Sequence, residues 1–434
     1  MNNLMYQNNR GEGLFGKIDI LSLVLYFLLL ISGWFSIYSA EHKIGTITDS
    51  ITWQEMINTK FEAGKQFYWI IICLILGLFI LVNPSWYYNK YAYLVYAVMI
   101  FALLLTLLFA PSINGARSWI KITSSIKIQP TEFAKLAVCL TLARYMSHTN
   151  FNFRNREDQF FVTVIITLPM LLVLVQNDTG SALVFTTFVI AAFREGLSPL
   201  FVIIPILGAF LCILALVLPL EWLFFWIVAP TLLMSVFMNK FYIKPLIIVA
   251  CACLIVIFSA NVFVNRVLQP HQRDRIYAML DPTIDPKGSG WNVIQSKIAI
   301  GSGGWAGKGF LKGTQSKGGY VPEQTTDFIF CTIGEEQGFR GMFVFFLLYT
   351  GFILRCIYMA ENAKDTYTRI YGYAYIGVVF FHFAINVAMT LGLAPVIGIP
   401  LPFFSYGGSS LVAFSLGFFI LLKLYSDSDK RFAV

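Results

Sequence analysis

Charge is scarce in this chain. Only 12% of its 434 residues are Asp, Glu, Lys or Arg, against 57% hydrophobic residues. Ordinary soluble domains carry about 25% charged residues, so a water-soluble globular reading is excluded. The four histidines, His42, His148, His271 and His382, stand alone, and no HExxH or His-rich tract offers zinc a ligand set. The seven cysteines are odd in number and dispersed, and Cys73, Cys139, Cys212, Cys251 and Cys253 fall in apolar runs. That spacing fits neither a disulfide framework nor a metal site. No cofactor is identified, and a divalent cation has no readable signature. The net charge of +8 is spread between apolar runs without a basic cluster, which argues against nucleic acid. The first nineteen residues, MNNLMYQNNRGEGLFGKID, contain no small-residue cleavage site, so the apolar run that follows is expected to be a retained helix.

What the chain does have is apolar runs of about 20 residues, long enough to cross a bilayer. The alternating segments of about 10 residues typical of an outer-membrane barrel are missing. The sequence predicts an all-α polytopic membrane protein, a single integral membrane domain over 1–434. Helices are expected near 19–39, 66–83, 91–110, 131–148, 159–176, 180–194, 199–219, 221–238, 244–264, 337–356, 371–392 and 407–424, about twelve in all.

Lys and Arg in short loops set the orientation. They lie at Arg10 and Lys17, Lys90, Arg144, Arg154 and Arg156, Arg194, Lys240 and Lys244, Arg355, Lys364 and Arg369, and Lys423, Lys430 and Arg431. These loops alternate and are expected to be cytoplasmic, with both termini inside. The alternate loops, 40–65, 111–130, 176–180, 265–336 and 393–406, hold most of the glycines, prolines and acids that lie outside helices. The informative polar chemistry therefore collects on the outer face. Within the largest loop, 265–336, WNVIQSKIAI is expected to form a helix with Trp291, Ile294 and Ile298 on one face and Gln295 and Lys297 off it. Such a helix suits the membrane surface.

Six stretches carry the candidate chemistry. GSGGWAGKG, Gly301 to Gly309, is not a P-loop, because Gly309 and not Ser or Thr follows Lys308. It is either a flexible loop or a backbone that approaches an anion, with Lys308 and Lys312 nearby. IQPTEFAK opens a helix with Pro130 in its first turn, and Glu132 and Lys135 share a face as either a salt bridge or a functional pair. GARSWIKI places Arg117 and Lys121 at the outer interface, as anchors or as phosphate contacts. QNDTGSALV puts Asp178 where an N-cap belongs. PVIGIPLPFFSYGGSS breaks the helical pattern at membrane depth, so its backbone must be buried or line a cavity, which Ser405 and Tyr406 are expected to face. VPEQTTDFIFCTIGEEQGFRG holds four acids: Glu323, Asp327, Glu335 and Glu336. Asp327 reads equally as an N-cap and as a general base whose burial raises its basicity. Glu335 and Glu336 are expected to begin a helix, one of them pairing with Arg340.

These stretches together resemble the SEDS family (shape, elongation, division and sporulation) of RodA and FtsW proteins. QPTEFAK, QNDTGSAL, DPTIDPKGSGWNVIQSKIAIGSGGWAGKG, VPEQTTDFIF, GEEQGFRG and PVIGIPLPFFSYGGSS occur in the family's order, and GKGFLKGTQS looks like the RodA branch. The resemblance implies a SEDS-type helical bundle and a peptidoglycan glycosyltransferase. Such an enzyme polymerises lipid II outside the bacterial cytoplasmic membrane, with a class B penicillin-binding protein as transpeptidase partner. It implies Asp327, in TDFIF, as the catalytic aspartate. Substrate contacts are expected from Arg117, Lys121, Gln129, Glu132, Lys135, Asp178, Gln295, Lys297, Lys308, Lys312, Gln315, Glu323 and Ser405.

Two departures stand out. The family usually has Gln-Pro-Asp-Leu-Gly-Thr where this chain has Gln176 to Ser181. The family core has ten helices, and the surplus maps to about 221–264. An even insertion leaves 265–336 outside. A lipid II flippase and a non-catalytic scaffold for a transpeptidase are the rival readings. A transporter suits broken helices and charges near membrane depth, whereas a scaffold has no use for Asp327.

Overall fold

Hydrocarbon offers no hydrogen bonds, so apolar runs of this length satisfy their backbone internally as helices. A computed structural model describes residues 18–41, 53–112, 115–121, 123, 127–237, 240–262, 264, 266, 270–281, 283 and 288–431. The polar N-terminal stretch with Arg10 and Lys17, residues 42–52, and Pro282 and 284–287 of the DPTIDPKG motif lie outside the described residues, as do the side chains of Lys240, Lys430 and Arg431.

A helix lies at each of the twelve expected positions. They are α1 (Ile20–Glu41), α2 (Glu62–Val82), α3 (Ala92–Phe109), α4 (Pro130–Met146), α5 (Arg156–Val175), α6 (Thr179–Arg194), α7 (Leu200–Val217), α8 (Leu220–Phe237), α9 (Lys240–Val262), α10 (Ile329–Glu361), α11 (Thr366–Thr390) and α12 (Gly408–Arg431). Among the described residues ten helices are long and apolar enough to cross a membrane, while α4 and α6 are shorter. Shorter helices Ser289–Gly303 and Thr314–Lys317 lie between α9 and α10.

The described chain divides into two compact units, 1–196 with 294–434, and 197–293. In the second unit, α7, α8 and α9 pack around Ala215, Leu223, Ile257 and Ala260. These helices expose most of their apolar surface, as lipid-facing helices do. In the first unit, α11 is the central element, in contact with α4, α6, α10 and α12. α12 packs in turn on α2, and α10 on α1. The polar positions of α11, His382 and Asn386, are both buried.

Local sequence sets the ends. Pro130 occupies the first position of α4, where its missing N–H is no loss. Asp178 caps α6 by accepting from the Ser181 N–H at 3.0 Å, and Asp365 caps α11 by accepting from the Thr368 N–H at 3.2 Å. At the opposite end of α1, Asp19 binds the Arg355 guanidinium of α10 through Nε at 3.0 Å.

α10 departs from its expected extent. It begins at Ile329, not near 337, and is broken at Gly338, where φ is 65° and ψ −160°. That region is open essentially to glycine alone. A Cβ there would lie 2.3 Å from the Gly307 nitrogen, so the break is also where the glycine-rich loop seats. Gly338→Ala is expected to lower the thermal midpoint of the purified protein, with about 1–3 kcal/mol from backbone strain alone. Gly208→Ala, in α7 with nothing within 4 Å of its added carbon, is the control. Equal midpoints for the two would remove the strained break.

Candidate active site around Asp327

The turn from Val321 to Phe328 is built on Glu323. Its φ is 51°, and its carbonyl accepts from the Thr326 N–H at 3.2 Å and the Phe328 N–H at 3.1 Å. The Glu323 carboxylate accepts from the Thr326 hydroxyl at 3.1 Å. Val321 and Phe328 anchor the turn by packing with Ala299 and Cys331 against Ile300 and Val396. The exposed Glu323 therefore shapes the turn that presents Asp327, itself half-buried.

Four hydrogen bonds from three parts of the chain then grip this turn. Gln324 Nε2 donates to the Ala40 carbonyl of α1 at 2.6 Å. The Tyr406 N–H donates to the Thr325 carbonyl at 2.9 Å, and the Ser405 hydroxyl to the Thr326 carbonyl at 2.5 Å. Asn386 Nδ2 of α11 donates to the Asp327 carbonyl at 2.8 Å. The Asp327 carboxylate lies against Gly398, whose Cβ, if it had one, would be 3.3 Å from Oδ2. Gly398 has φ of +71° and leaves that space open.

Ser405 does not face a cavity, contrary to expectation. It is buried, donates to Thr326 and accepts from the Leu401 N–H at 2.9 Å. The break before α12 must satisfy its own backbone at depth, and a hydroxyl that both donates and accepts does so. Ser405 thus holds the Asp327 turn through the Thr326 carbonyl. Burial pushes the neighbouring Tyr406 phenol up to about 12, helped by the carboxylates of Glu62 and Glu41, so it stays protonated.

A second polar group adjoins. Gln129 Nε2 donates to Asp178 Oδ2 at 2.9 Å and approaches the Ser181 hydroxyl at 3.4 Å. Gln129 N–H meets the Ser409 hydroxyl at 3.3 Å, at the start of α12. Gly180 lies against the Ile397 carbonyl, 2.5 Å from where its Cβ would be. The irregular Ile397–Ile399 segment thus approaches Gly180 through the Ile397 carbonyl and Asp327 through Gly398. Asn177, where the family usually has proline, has φ of 62°, a value that proline cannot adopt, so the backbone turns here in its own way while Asp178 still caps α6.

The cations separate. Arg117 and Lys121 are exposed on the outer loop, where a short antiparallel ladder sets Lys121 across from Lys127. The Arg117 backbone N–H binds the Gln176 carbonyl at 2.9 Å. Lys312 and Lys297 are exposed. Lys308 is engaged: its amine donates to Glu335 Oε1 and to the Thr314 hydroxyl, both at 2.7 Å. Gln295 is buried, and the adjacent Ser296 hydroxyl binds the Thr390 carbonyl at 2.8 Å. The helix Ser289–Gly303 turns these polar residues inward and leaves Trp291 and Ile298 exposed, the apolar face expected at a membrane surface.

Glu335 is not paired with Arg340. Its buried carboxylate accepts from the N–H groups of Thr314, Gln315 and Ser316 at 2.7, 2.8 and 2.8 Å, besides Lys308. It caps the short helix Thr314–Lys317, so Gln315 is bound through its backbone. Glu336 binds the Ser39 hydroxyl of α1. Arg340 only reaches the Ala306 carbonyl, at 3.4 Å. The glycines of GSGGWAGKG serve close packing: Gly303 lies against the Gly334 carbonyl and Gly307 against that of Glu336. Lys308 and Gly309 donate their N–H groups to the Glu335 and Glu336 carbonyls at 3.0 and 2.9 Å.

Glu132 and Lys135 are buried and joined at 2.7 Å, and Lys135 also meets His382 Nε2 at 2.8 Å. This is the salt bridge anticipated for the pair, with a histidine added. His382 and Asn386 escaped the motif reading, although polar side chains within an apolar helix are themselves a signal. Among the described residues no group of three or more His, Cys, Asp or Glu is placed to hold a metal ion.

The family model described as a cell cycle protein, FtsW/RodA/SpoVE, matches residues 19–223 and 202–430. The chain belongs to this family. Both matched stretches include 202–223, beside the surplus helices. The peptidoglycan glycosyltransferase RodA of Treponema pallidum is 34% identical over 378 residues, covering 81% of this chain and 86% of the relative. The peptidoglycan glycosyltransferase MrdB of Escherichia coli K12 is 31% identical over 344 residues, covering 79% and 80%. A solved chain from work on coordinated polymerization and crosslinking by a peptidoglycan synthase complex superposes with a TM-score of 0.68 at 23% identity. The match covers 95% of this chain and 98% of that one, and it shows the shared fold.

Removing the Glu335 charge is expected to loosen the loop it caps. Glu335→Gln leaves Lys308 without its carboxylate and weakens three backbone caps. Hydrogen exchange should speed up across 303–317 while α4 is unchanged. Unaltered exchange in that loop would show that the carboxylate does not hold it.

Proposed function

We propose that this protein is a peptidoglycan glycosyltransferase that polymerises lipid II into β-1,4 glycan strands on the outer face of the bacterial cytoplasmic membrane. The observation that carries the reading is convergence on one carboxylate. Segments from α1, α11 and the chain before α12 all bind the Val321–Phe328 turn that presents Asp327. The curated relatives named above, both called peptidoglycan glycosyltransferases, support the same reading.

The donor is a disaccharide-pentapeptide on a polyprenyl pyrophosphate. The acceptor sugar's 4-hydroxyl attacks the donor's anomeric carbon. Asp327 takes the hydroxyl proton as the new bond forms. The bond to pyrophosphate breaks and its electron pair leaves on oxygen. The donor's α linkage becomes β, an inversion. Pyrophosphate is a good leaving group, so cations suffice in place of a second acid. Lys312, Arg117 and Lys121 are the exposed candidates to neutralise it. Glu132 and Lys135 support the site from within the bundle and do not contact the sugar. Segment 265–336 works outside the membrane, and the short basic loops lie inside.

The partner is a class B penicillin-binding protein that crosslinks the new strand. The structural relative drawn from a synthase complex supports that pairing. A flippase would need its ionisable groups at membrane depth to be reachable. Glu132 and Lys135 are instead buried and bonded to each other.

The test is glycan polymerisation from purified lipid II, resolved on a gel, with the transpeptidase present. Wild type should make polymer, and Asp327→Ala or Asp327→Asn should lose about 10²-fold or more of the rate. Equal polymer from folded, partner-bound Asp327→Ala would remove Asp327 as the base. No polymer from wild type would move the case to lipid II flipping.

A further inference from the structure

The Asp327 carboxylate rests against the irregular segment Ile397–Pro400, which is tied to α11 by two hydrogen bonds. Asn386 Nδ2 donates to the Ile399 carbonyl at 2.7 Å. One helical turn earlier, His382 Nδ1 meets the Pro400 carbonyl at 3.0 Å. Asn386 gives its other amide hydrogen to the Asp327 carbonyl at 2.8 Å. A single amide group thus fixes the backbone of the aspartate and the backbone of the wall it rests against.

His382 is held in turn. A carbonyl accepts and an ammonium donates, so Nδ1 must carry the proton and Nε2 must be the acceptor of Lys135. Lys135 is fixed by Glu132 at 2.7 Å. The buried row Glu132–Lys135–His382 ends on Pro400, one residue from the carbonyl that Asn386 binds.

We propose that Asn386 and His382 are positioning residues for the glycosyl transfer. They set the direction of the Asp327 carboxylate through the turn and the Ile397–Pro400 wall. The Glu132–Lys135 pair acts through His382. The inference rests on Asp327 as the base.

Asn386 is fully buried, and its Oδ1 has no hydrogen-bond partner. Its amide hydrogens satisfy the Ile399 and Asp327 carbonyls, which an apolar residue would leave without a donor, so the residue serves the fold as well as the proposed positioning. What an apolar residue cannot supply is two N–H donors from one atom. Geometry matters here because a displacement of about 1 Å at a reacting group can lower the rate by about 10²-fold.

The experiment compares polymerisation kinetics of Asn386→Leu, His382→Leu and His382→Asn with wild type and Asp327→Ala, in the full chain with its transpeptidase. Thermal midpoint and partner binding are measured alongside. Asn386→Leu keeps the volume and loses both donors. His382→Asn retains an N–H near the Nδ1 position, and His382→Leu does not. The expected result is a kcat at least tenfold lower for Asn386→Leu and His382→Leu, with KM for lipid II within twofold. His382→Asn should recover most of kcat.

A raised KM at unchanged kcat would overturn the proposal in favour of substrate contact. Equal loss in His382→Asn and His382→Leu, tracking a fall in thermal midpoint, would reduce both residues to packing. Should Asn386→Leu fail to fold, the His382 pair decides the question. If Asp327→Ala keeps polymerising, the base assignment fails. If Asp327→Ala is inactive while the α11 variants match wild type, only the positioning inference fails.

Discussion

The chain between α11 and α12 is irregular, and Ile399, Leu401 and Phe403 to Ser405 within it are buried, so their backbone depends on partners inside the protein. That constraint organises the site. The segment's buried backbone groups need partners from within the protein: His382 and Asn386 donate to the Pro400 and Ile399 carbonyls, and the Ser405 hydroxyl accepts from the Leu401 N–H. Asn386 and Ser405 also reach across to the turn bearing Asp327, so satisfying one irregular segment fixes the other. Two non-helical pieces far apart in sequence become one rigid object, and the carboxylate lies at their junction.

Much of this was open to sequence reasoning, because hydropathy and capping are local. Twelve apolar runs gave twelve helix positions, and the spacing of Glu132 and Lys135 gave their ion pair. Asp178 at a helix start gave its cap. The errors lie where partners come from distant parts of the chain. Helical spacing suggests that one of Glu335 and Glu336 pairs with Arg340, but loop 308–316 offers Glu335 three N–H groups and an ammonium, and Glu336 binds Ser39. A polar residue beside a break suggests a cavity, and Ser405 is expected to face one. It faces inward because the break itself needed a hydroxyl. The start of α10 was missed because nothing before Gly338 looks like a membrane segment, whereas the glycine break itself depends on φ and ψ.

The glycine-rich stretch shows why composition misleads about anions. Its glycines invite a phosphate-cradle reading, yet Gly303 and Gly307 are there so that backbone can lie on the backbone of Gly334 and Glu336. The N–H groups of Lys308 and Gly309 already have carbonyl partners, and the Lys308 ammonium already has a carboxylate. Lys312, five residues past Gly307, is exposed. The glycine-rich stretch is thus backbone packed on backbone, more than a flexible grip.

Rigidity on both sides of the reacting centre follows from the chemistry proposed. With pyrophosphate as leaving group, bond cleavage needs charge neutralisation that exposed lysines and arginine can give from several angles. Proton removal is less forgiving, because a carboxylate must meet one hydroxyl within hydrogen-bond reach while that hydroxyl faces one carbon. The structure distributes its order accordingly. Cations stand on exposed loops, and the aspartate stands on a turn bonded to α1, to α11 and to the Ser405 segment. A buried ion pair in α4 is then intelligible without any contact to sugar. Desolvating Glu132 and Lys135 is unfavourable in itself, but the pair fixes His382 in one orientation, and through Pro400 that orientation reaches the wall beside the base.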